Sequence, residues 1–240
     1  MQLEQRFLVR LEDTGKGFLL SNKGMLTYFT NLACIHGNRV GQGLMDREKC
    51  GLSWMVVGWR FQVLSRPKLS QTVKGVTWAH NLSKIQTARD FLLYDEAGDL
   101  FAKGTSAWLV LDEHNTRVLR MTEEIMAPYG REEDHPAFPG YAFPKEAPAF
   151  RVERRAELTV SKAMIDCNDH VHNIAYLDLF DEALPEDMDM DRFCDVTLVY
   201  RREIKPREKV VVEFGRVDGG AVLRIREAEG DLVHAFLLLA

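Results

Sequence analysis

The chain has 240 residues, 46% hydrophobic, 28% charged and 10% aromatic, which is ample material for one large or two small globular domains. Its 31 Lys and Arg stand against 36 Asp and Glu, a net charge of −5 that argues against nucleic-acid binding driven by bulk charge. No apolar run approaches the roughly 20 residues of a membrane-spanning helix. Met1 leads almost directly into Leu3, Phe7 and Val9, so neither membrane insertion nor a leader segment is expected.

In chain order, Phe7 to Leu11 reads as a strand, followed by a loop from Asp13 to Gly17. A helix follows, capped by Ser21 or Asn22, with Met25, Phe29, Leu32, Ala33 and His36 near one face. Val57, Trp59, Phe61 and Val63 then alternate with Gly58, Arg60 and Gln62, the period of a strand. Val73–Trp78, Phe91–Tyr94 and Ala107–Leu111 continue the series, with Glu96 to Asp99 as a hairpin turn. Five of the eight prolines, at 128, 136, 139, 144 and 148, accompany the acidic run Glu132-Glu133-Asp134. Proline removes backbone donors and disfavours helix before it, so this stretch reads as an extended connector. The expected division is a domain over 1–130, a linker over 131–150 and a second domain over 151–240.

The second half repeats the order of the first. Val152–Val160 is a strand, Asp166 to His170 a loop, and Ile174, Leu177, Phe180 and Leu184 form a helical stripe closed by Pro185. Val196–Arg201, Val210–Phe214, Ala221–Arg226 and Leu232–Leu239 are strands, with Asp218-Gly219-Gly220 and Glu229-Gly230-Asp231 as turns. A long helix followed by an antiparallel meander must bury its stripe on that sheet. The expectation is an α+β protein of two helix-wrapped sheets in tandem. Cys34, Cys50, Cys167 and Cys194 are widely spaced without a CxxC pair, which suits free thiols in a reducing cytoplasm.

The densest polar segment is Asp166-Cys167-Asn168-Asp169-His170-Val171-His172-Asn173, between strand and helix. A helix start there would offer free N–H groups and a positive dipole end to a developing oxyanion. Caps and turns account for one or two of these residues, but not for the whole set. The corresponding loop of the first half, Glu12 to Gly17, has no His or Asn, so one site per chain is expected. Two other chemistries stay open on the residues alone: a Cys167–His170 nucleophile, and a metal held by Asp166, His170 and His172. No G-x-S-x-G elbow occurs, which disfavours an α/β-hydrolase.

The run Asp166-x-Asn168-x-His170-Val171-His172-Asn173-x-x-Tyr176-Leu177 resembles the D-x-N-x-H-V-N-N-x-x-Y signature of acyl-acyl-carrier-protein (acyl-ACP) thioesterases. Val199-Tyr200-Arg201-Arg202-Glu203 is similar to that family's E-Y-R-R-E segment. Pro67, Thr77-Trp78, Ala88-Arg89-Asp90-Phe91 and Ala107 to Asp112 extend the resemblance over nearly the whole chain. The resemblance implies a double hotdog fold, hydrolysis of acyl-ACP, and a catalytic set of Asp166, Asn168, His170 and Glu203. His172 stands where the family usually has Asn, and Ile204 follows Glu203 where plant members carry Cys, which removes a cysteine nucleophile at that position.

A thioester leaves as a thiolate of pKa about 8.5, so hydrolysis asks for a positioned water, a base and an oxyanion site rather than a strong acid. Glu203, expected to be buried, is the base or water-holder. Asn168 polarises the carbonyl, His170 steadies water or carbonyl, and Asp166 orients its neighbours, with the base role undivided between Glu203 and Asp166. Met25, Phe29, His172 and Asn173 are candidate substrate contacts. Arg154, Arg155, Lys205 and Arg207 are candidate docking residues for an acidic acyl carrier protein. No metal or organic cofactor is expected, and monomer or homodimer stays open. A dehydratase of the same fold and a non-catalytic acyl-binding module are the rival functions.

Overall fold

A computed structural model of the chain describes residues 1–81, 83–130 and 135–240. The acidic run of the connector lies outside the described residues. The chain divides into two units, Met1–Ala142 and Phe143–Ala240. The first contains β1 (Leu3–Leu8), α1 (Asn22–Arg39), α2 (Arg47–Cys50), β2 (Leu52–Val63), β3 (Thr72–Asn81), β4 (Thr87–Tyr94), β5 (Leu100–Asp112) and α3 (Glu123–Met126). Its strands pair antiparallel in the order β1-β3-β4-β5-β2. The second contains β6 (Arg154–Thr159), α4 (Ala175–Asp181), β7 (Asp195–Tyr200), β8 (Lys209–Val217), β9 (Gly220–Glu227) and β10 (Val233–Leu239). Its strands pair antiparallel in the order β6-β8-β9-β10-β7. Strand for strand, this is the permutation of the first unit, so the repeat in the sequence is a repeat of topology. Among the described residues no helix is long and apolar enough to cross a membrane.

The first strand ends earlier than its apolar residues suggest. The Asp13 carboxylate accepts the Arg10 backbone N–H at 3.1 Å and closes a 3-10 turn over Leu11–Asp13, which takes Leu11 out of the strand. Ser21 caps α1 by accepting the Gly24 N–H at 2.9 Å. A side chain at Gly24 would place its Cβ 2.3 Å from the Asp13 carbonyl oxygen, so only glycine lets the helix start this close to the turn. Met25, Phe29 and Leu32 are fully buried, and the Phe29 ring packs 5.0 Å from Phe91 and 5.8 Å from Phe61.

The helix of the second unit is shorter than that of the first. α4 has seven residues against eighteen in α1. The expected stripe of Ile174, Leu177, Phe180 and Leu184 is buried all the same, because Leu184 continues it in a turn bonded to Asp181 before Pro185.

Arginines of three positions converge on one buried carboxylate in this unit. Glu213 of β8, 1% exposed, lies opposite Arg155 of β6 and Arg224 of β9 in the strand register. Arg155 Nε reaches it at 3.2 Å, Arg224 Nη2 at 2.6 Å and Arg226 Nε at 3.2 Å. Burial acts to raise the Glu213 carboxyl, but hydrogen bonds and charge from Arg224 and Arg226 outweigh it, and the net shift is downward. The stabilisation is therefore full above the unfolded carboxyl range and is lost as pH falls through the lower folded value. Glu213→Gln should cost toward the lower end of the about 3–5 kcal/mol of a broken buried pair, because the arginines are partly exposed. It should also flatten the acid-side fall in Tm between about pH 5 and pH 3. Thermal unfolding of both proteins across that range checks this, and an acid profile identical to wild type would contradict it.

Candidate active site

The segment 165–173 folds as a tight, bridged turn. Ile165 pairs with Val171, Asp166 N–H donates to the His170 carbonyl at 2.9 Å, and Asp169 takes a left-handed φ of 60° to close the reversal. The Asp166 side chain holds the turn from inside. Its Oδ1 accepts the Asn168 N–H at 2.8 Å and the His170 N–H at 3.4 Å, and its Oδ2 lies 3.5 Å from Asn168 Nδ2. Asx residues favour such turns because the carboxylate imitates a backbone acceptor two residues back.

Glu203 sits just beyond β7, on a segment clamped from both sides. Arg201 and Arg202 N–H donate to the His234 carbonyl at 2.7 and 3.0 Å. His234 Nδ1 lies 3.1 Å from the Glu203 carbonyl. Tyr176 OH donates to the Arg202 carbonyl at 3.4 Å, and Val171 N–H donates to the Ile204 carbonyl at 3.1 Å. That last bond joins the turn to the segment and brings His170 Nε2 to 2.9 Å from Glu203 Oε2. The two side chains are 36% and 49% exposed, so the pair is open to water and to substrate. Lys205 Nζ stands 3.9 Å from the other Glu203 oxygen.

All four expected catalytic residues are thus linked: Asn168 to Asp166, Asp166 to the His170 backbone, and His170 to Glu203. Two local expectations need correction. Glu203 is exposed rather than buried, because it lies past the end of its strand. The polar turn is not the start of a helix: α4 begins at Ala175, and the Ala175 and Leu177 N–H groups are already bonded to the His172 and Ile174 carbonyls. Cys167 is exposed, and the His170 imidazole is engaged by Glu203 rather than by a thiol.

Of the other candidates, His172 is half-buried and bonded through its backbone to Met164 and Ala175, while the Asn173 carbonyl accepts the Tyr200 hydroxyl at 2.8 Å. Met25 and Phe29 are core residues of the first unit. Arg154 is exposed on the edge strand β6, whereas the Arg155 guanidinium is committed to Glu213. Lys205 and Arg207 lie in the exposed loop after Glu203, with Arg207 at a left-handed φ of 64°. Burial is the main reason that the Tyr176 hydroxyl is pushed up, so it acts as a neutral donor. His234 was not singled out from the sequence. The signal was there, as one polar residue within the otherwise apolar strand Val233-His234-Ala235-Phe236-Leu237.

A duplicated helix-and-sheet unit with an open imidazole–carboxylate pair in its second copy defines a double-hotdog α+β protein. Known proteins sharpen this. Family models described as the acyl-ACP thioesterase N-terminal domain and C-terminal domain match residues 1–129 and 149–231. The chain belongs to the acyl-ACP thioesterase family. Oleoyl-acyl carrier protein thioesterase 2 of Arabidopsis thaliana is 26% identical over 218 residues, covering 83% of this chain and 59% of that protein. A palmitoyl-acyl carrier protein thioesterase of Cuphea hookeriana is 23% identical, covering 89% and 54% respectively. The chain thus spans little more than half the length of these two curated relatives. In structure it resembles the 12:0-ACP thioesterase from Umbellularia californica, with a TM-score of 0.84 at 19% identity, covering 99% of this chain and 96% of that one. An acyl-ACP thioesterase from Bacteroides thetaiotaomicron superposes with a TM-score of 0.83 at 16% identity over the same shares.

Proposed function

We propose that the chain hydrolyses acyl thioesters of acyl carrier protein and releases free fatty acid during fatty acid biosynthesis. The observation that carries this reading is the 2.9 Å contact between His170 Nε2 and a half-exposed Glu203 carboxylate, held in register by backbone bonds. Water between Glu203 and the thioester carbonyl gives its proton to the carboxylate as its oxygen attacks. The tetrahedral intermediate then collapses with cleavage of the C–S bond, and the pantetheine sulfur leaves as thiolate. The proton on Glu203 returns to solvent or passes to the thiolate, which becomes the free thiol.

His170 orients the carboxylate and donates to water or carbonyl, and the Asn168 amide polarises the carbonyl. Asp166 is better suited to orienting than to acting as base, because the turn's N–H groups and the Asn168 amide already occupy its oxygens. Removing a general base or an oxyanion donor costs about 10²–10³ in rate. Asn168→Ala, His170→Ala and Glu203→Ala should each cut thiol release from acyl-ACP by at least about a hundredfold. Cys167→Ala should retain most activity. A dead Cys167→Ala beside an active Glu203→Ala would overturn the assignment.

Two further features belong to the same reading. The apolar first domain, over 1–130, supplies much of the acyl pocket, with Met25 and Phe29 on the buried face of α1. A Cβ added at Gly104 would meet the Phe29 ring at 3.0 Å, so the space around this ring is sensitive to single methyl groups. The carrier protein docks on exposed basic residues, among which Arg154, Lys205 and Arg207 are better placed than Arg155, whose charge Glu213 already engages. Variants at Met25 or Phe29 should shift the preferred chain length more than the rate on the best substrate. Charge reversal at Lys205 and Arg207 should raise KM for acyl-ACP while sparing kcat. Unchanged length preference and unchanged KM would place pocket and docking surface elsewhere. The four free cysteines support a cytoplasmic location, which cell fractionation would test.

A further inference from the structure

His234 has a role that the hydrolytic scheme leaves unexplained. It is the extra residue of a β-bulge: Val233 pairs with Arg226 and Ala235 with Ile225, so His234 is left without a partner in β9. Bulges re-aim a side chain, and this one turns an imidazole into the protein rather than along the sheet face. The residue is 2% exposed. Its Nδ1 lies 3.1 Å from the Glu203 carbonyl, an acceptor only, so Nδ1 donates there and Nε2 is the ring nitrogen that faces away from this bond.

Nε2 is buried and makes no hydrogen bond. What faces it are two carboxylates, Glu208 before β8 and Glu227 at the end of β9. One Glu208 oxygen stands 3.1 Å from Nε2, within ion-pair range but misaligned for an N–H···O bond. The donor atoms of the three residues lie within 4.8 Å of one another. Among the described residues neither carboxylate pairs with a Lys or Arg side chain, and the second Glu208 oxygen is steadied by the Lys205 backbone N–H at 2.8 Å. Two carboxylates and an imidazole nitrogen thus converge on one partly buried spot with no Lys or Arg side chain against the carboxylates among the described residues, a set of donor atoms that a cation would bind together.

We propose that His234, Glu208 and Glu227 bind a divalent transition-metal cation of the zinc type. One imidazole nitrogen and two carboxylate oxygens are suitable ligands at about 2.0–2.2 Å, a contraction that the half-buried glutamate side chains can supply by rotation. The backbone carbonyl on Nδ1 is the outer partner that a metal-bound histidine normally has, fixing tautomer and ring orientation. Imidazole in the ligand set disfavours Mg²⁺ and Ca²⁺, which take oxygen ligands. The site is separate from the His170–Glu203 pair, yet it ends on the Glu203 backbone. An occupied site would fix that backbone more firmly, a link to turnover that rests on the proposed thioesterase reading, whereas binding itself does not.

Calorimetric titration of the chelator-stripped full chain with ZnCl₂ tests the proposal. The expected result is one saturable site, weakened at least about tenfold in Glu227→Gln and in Glu208→Gln. Neither change touches the His234 bulge, and unfolding curves without metal confirm that both variants are folded. His170→Ala and Cys167→Ala should bind as wild type does, and excess Mg²⁺ should not compete. Zn²⁺ should also raise the Tm of wild type but not that of Glu227→Gln. Absence of a saturable site in wild type would overturn the proposal and leave His234 and Glu208 as an ion pair. So would binding lost in His170→Ala but kept in both glutamate variants.

Discussion

The hydrogen bond from the Val171 N–H to the Ile204 carbonyl, 3.1 Å long, joins the two pieces of chain from which the candidate site is built. On one side is a turn ordered by the Asp166 carboxylate, and on the other a short run past β7 that carries Glu203. Neither piece is part of a helix or a sheet, so each needs other restraints. Val171 and Ile204 are both buried, which keeps water away from the bond between them. The run carrying Glu203 is held further by the His234 carbonyl, the His234 imidazole and the Tyr176 hydroxyl. The result is a rigid backbone beneath exposed side chains, an arrangement suited to placing a carboxylate and an imidazole beside a substrate that arrives from solvent.

The two copies use the same stretch of chain differently. Both units share one strand order, and in both a strand leads through a 3-10 turn to a helix. In the first unit the turn's carboxylate, Asp13, is buried and committed to the fold. It accepts the Arg10 backbone N–H and guanidinium and the Tyr28 hydroxyl at 2.9 Å, and the helix begins close against its carbonyl. In the second unit Met164 stands at the place of Asp13, while Asp166, at the place of Gly15, orders an open turn, and the helix behind it is shorter and starts later. One copy uses its turn to anchor a long helix, the other to present side chains.

Much of this was legible in the sequence, because period and punctuation are local. The alternation from Val57 to Val63, the turn at Glu96–Asp99 and the Gly-bearing turns of the second half fall where β2, the β4–β5 hairpin and the β8–β10 meander lie. The motif residues could be named because their spacing resembles a known family. What was illegible depends on tertiary contact. Leu11 is strand-like until Asp13 closes a turn around it, and the length of α4 is set by the turn at 182–184 rather than by its apolar stripe. His36 reads as part of an apolar helix face, yet its Nδ1 meets the buried Arg89 at 2.8 Å. Burial first and that guanidinium second lower His36 to about 3, so it packs as a neutral ring. The bulge that turns His234 toward Glu203 leaves no mark in the periodicity beyond one polar residue in an apolar run.

The central claim is that water, and not a side chain, attacks the thioester at the His170–Glu203 pair. A rapid-quench experiment with excess acyl-ACP, followed by intact-mass measurement of the protein, tests it most directly, because covalent catalysis shows itself as a burst with an acylated intermediate. Direct attack by water predicts linear release of free carrier-protein thiol from the first turnover and an unmodified mass at every time point. A burst of thiol accompanied by an acyl adduct on Cys167 or on Glu203 would contradict it.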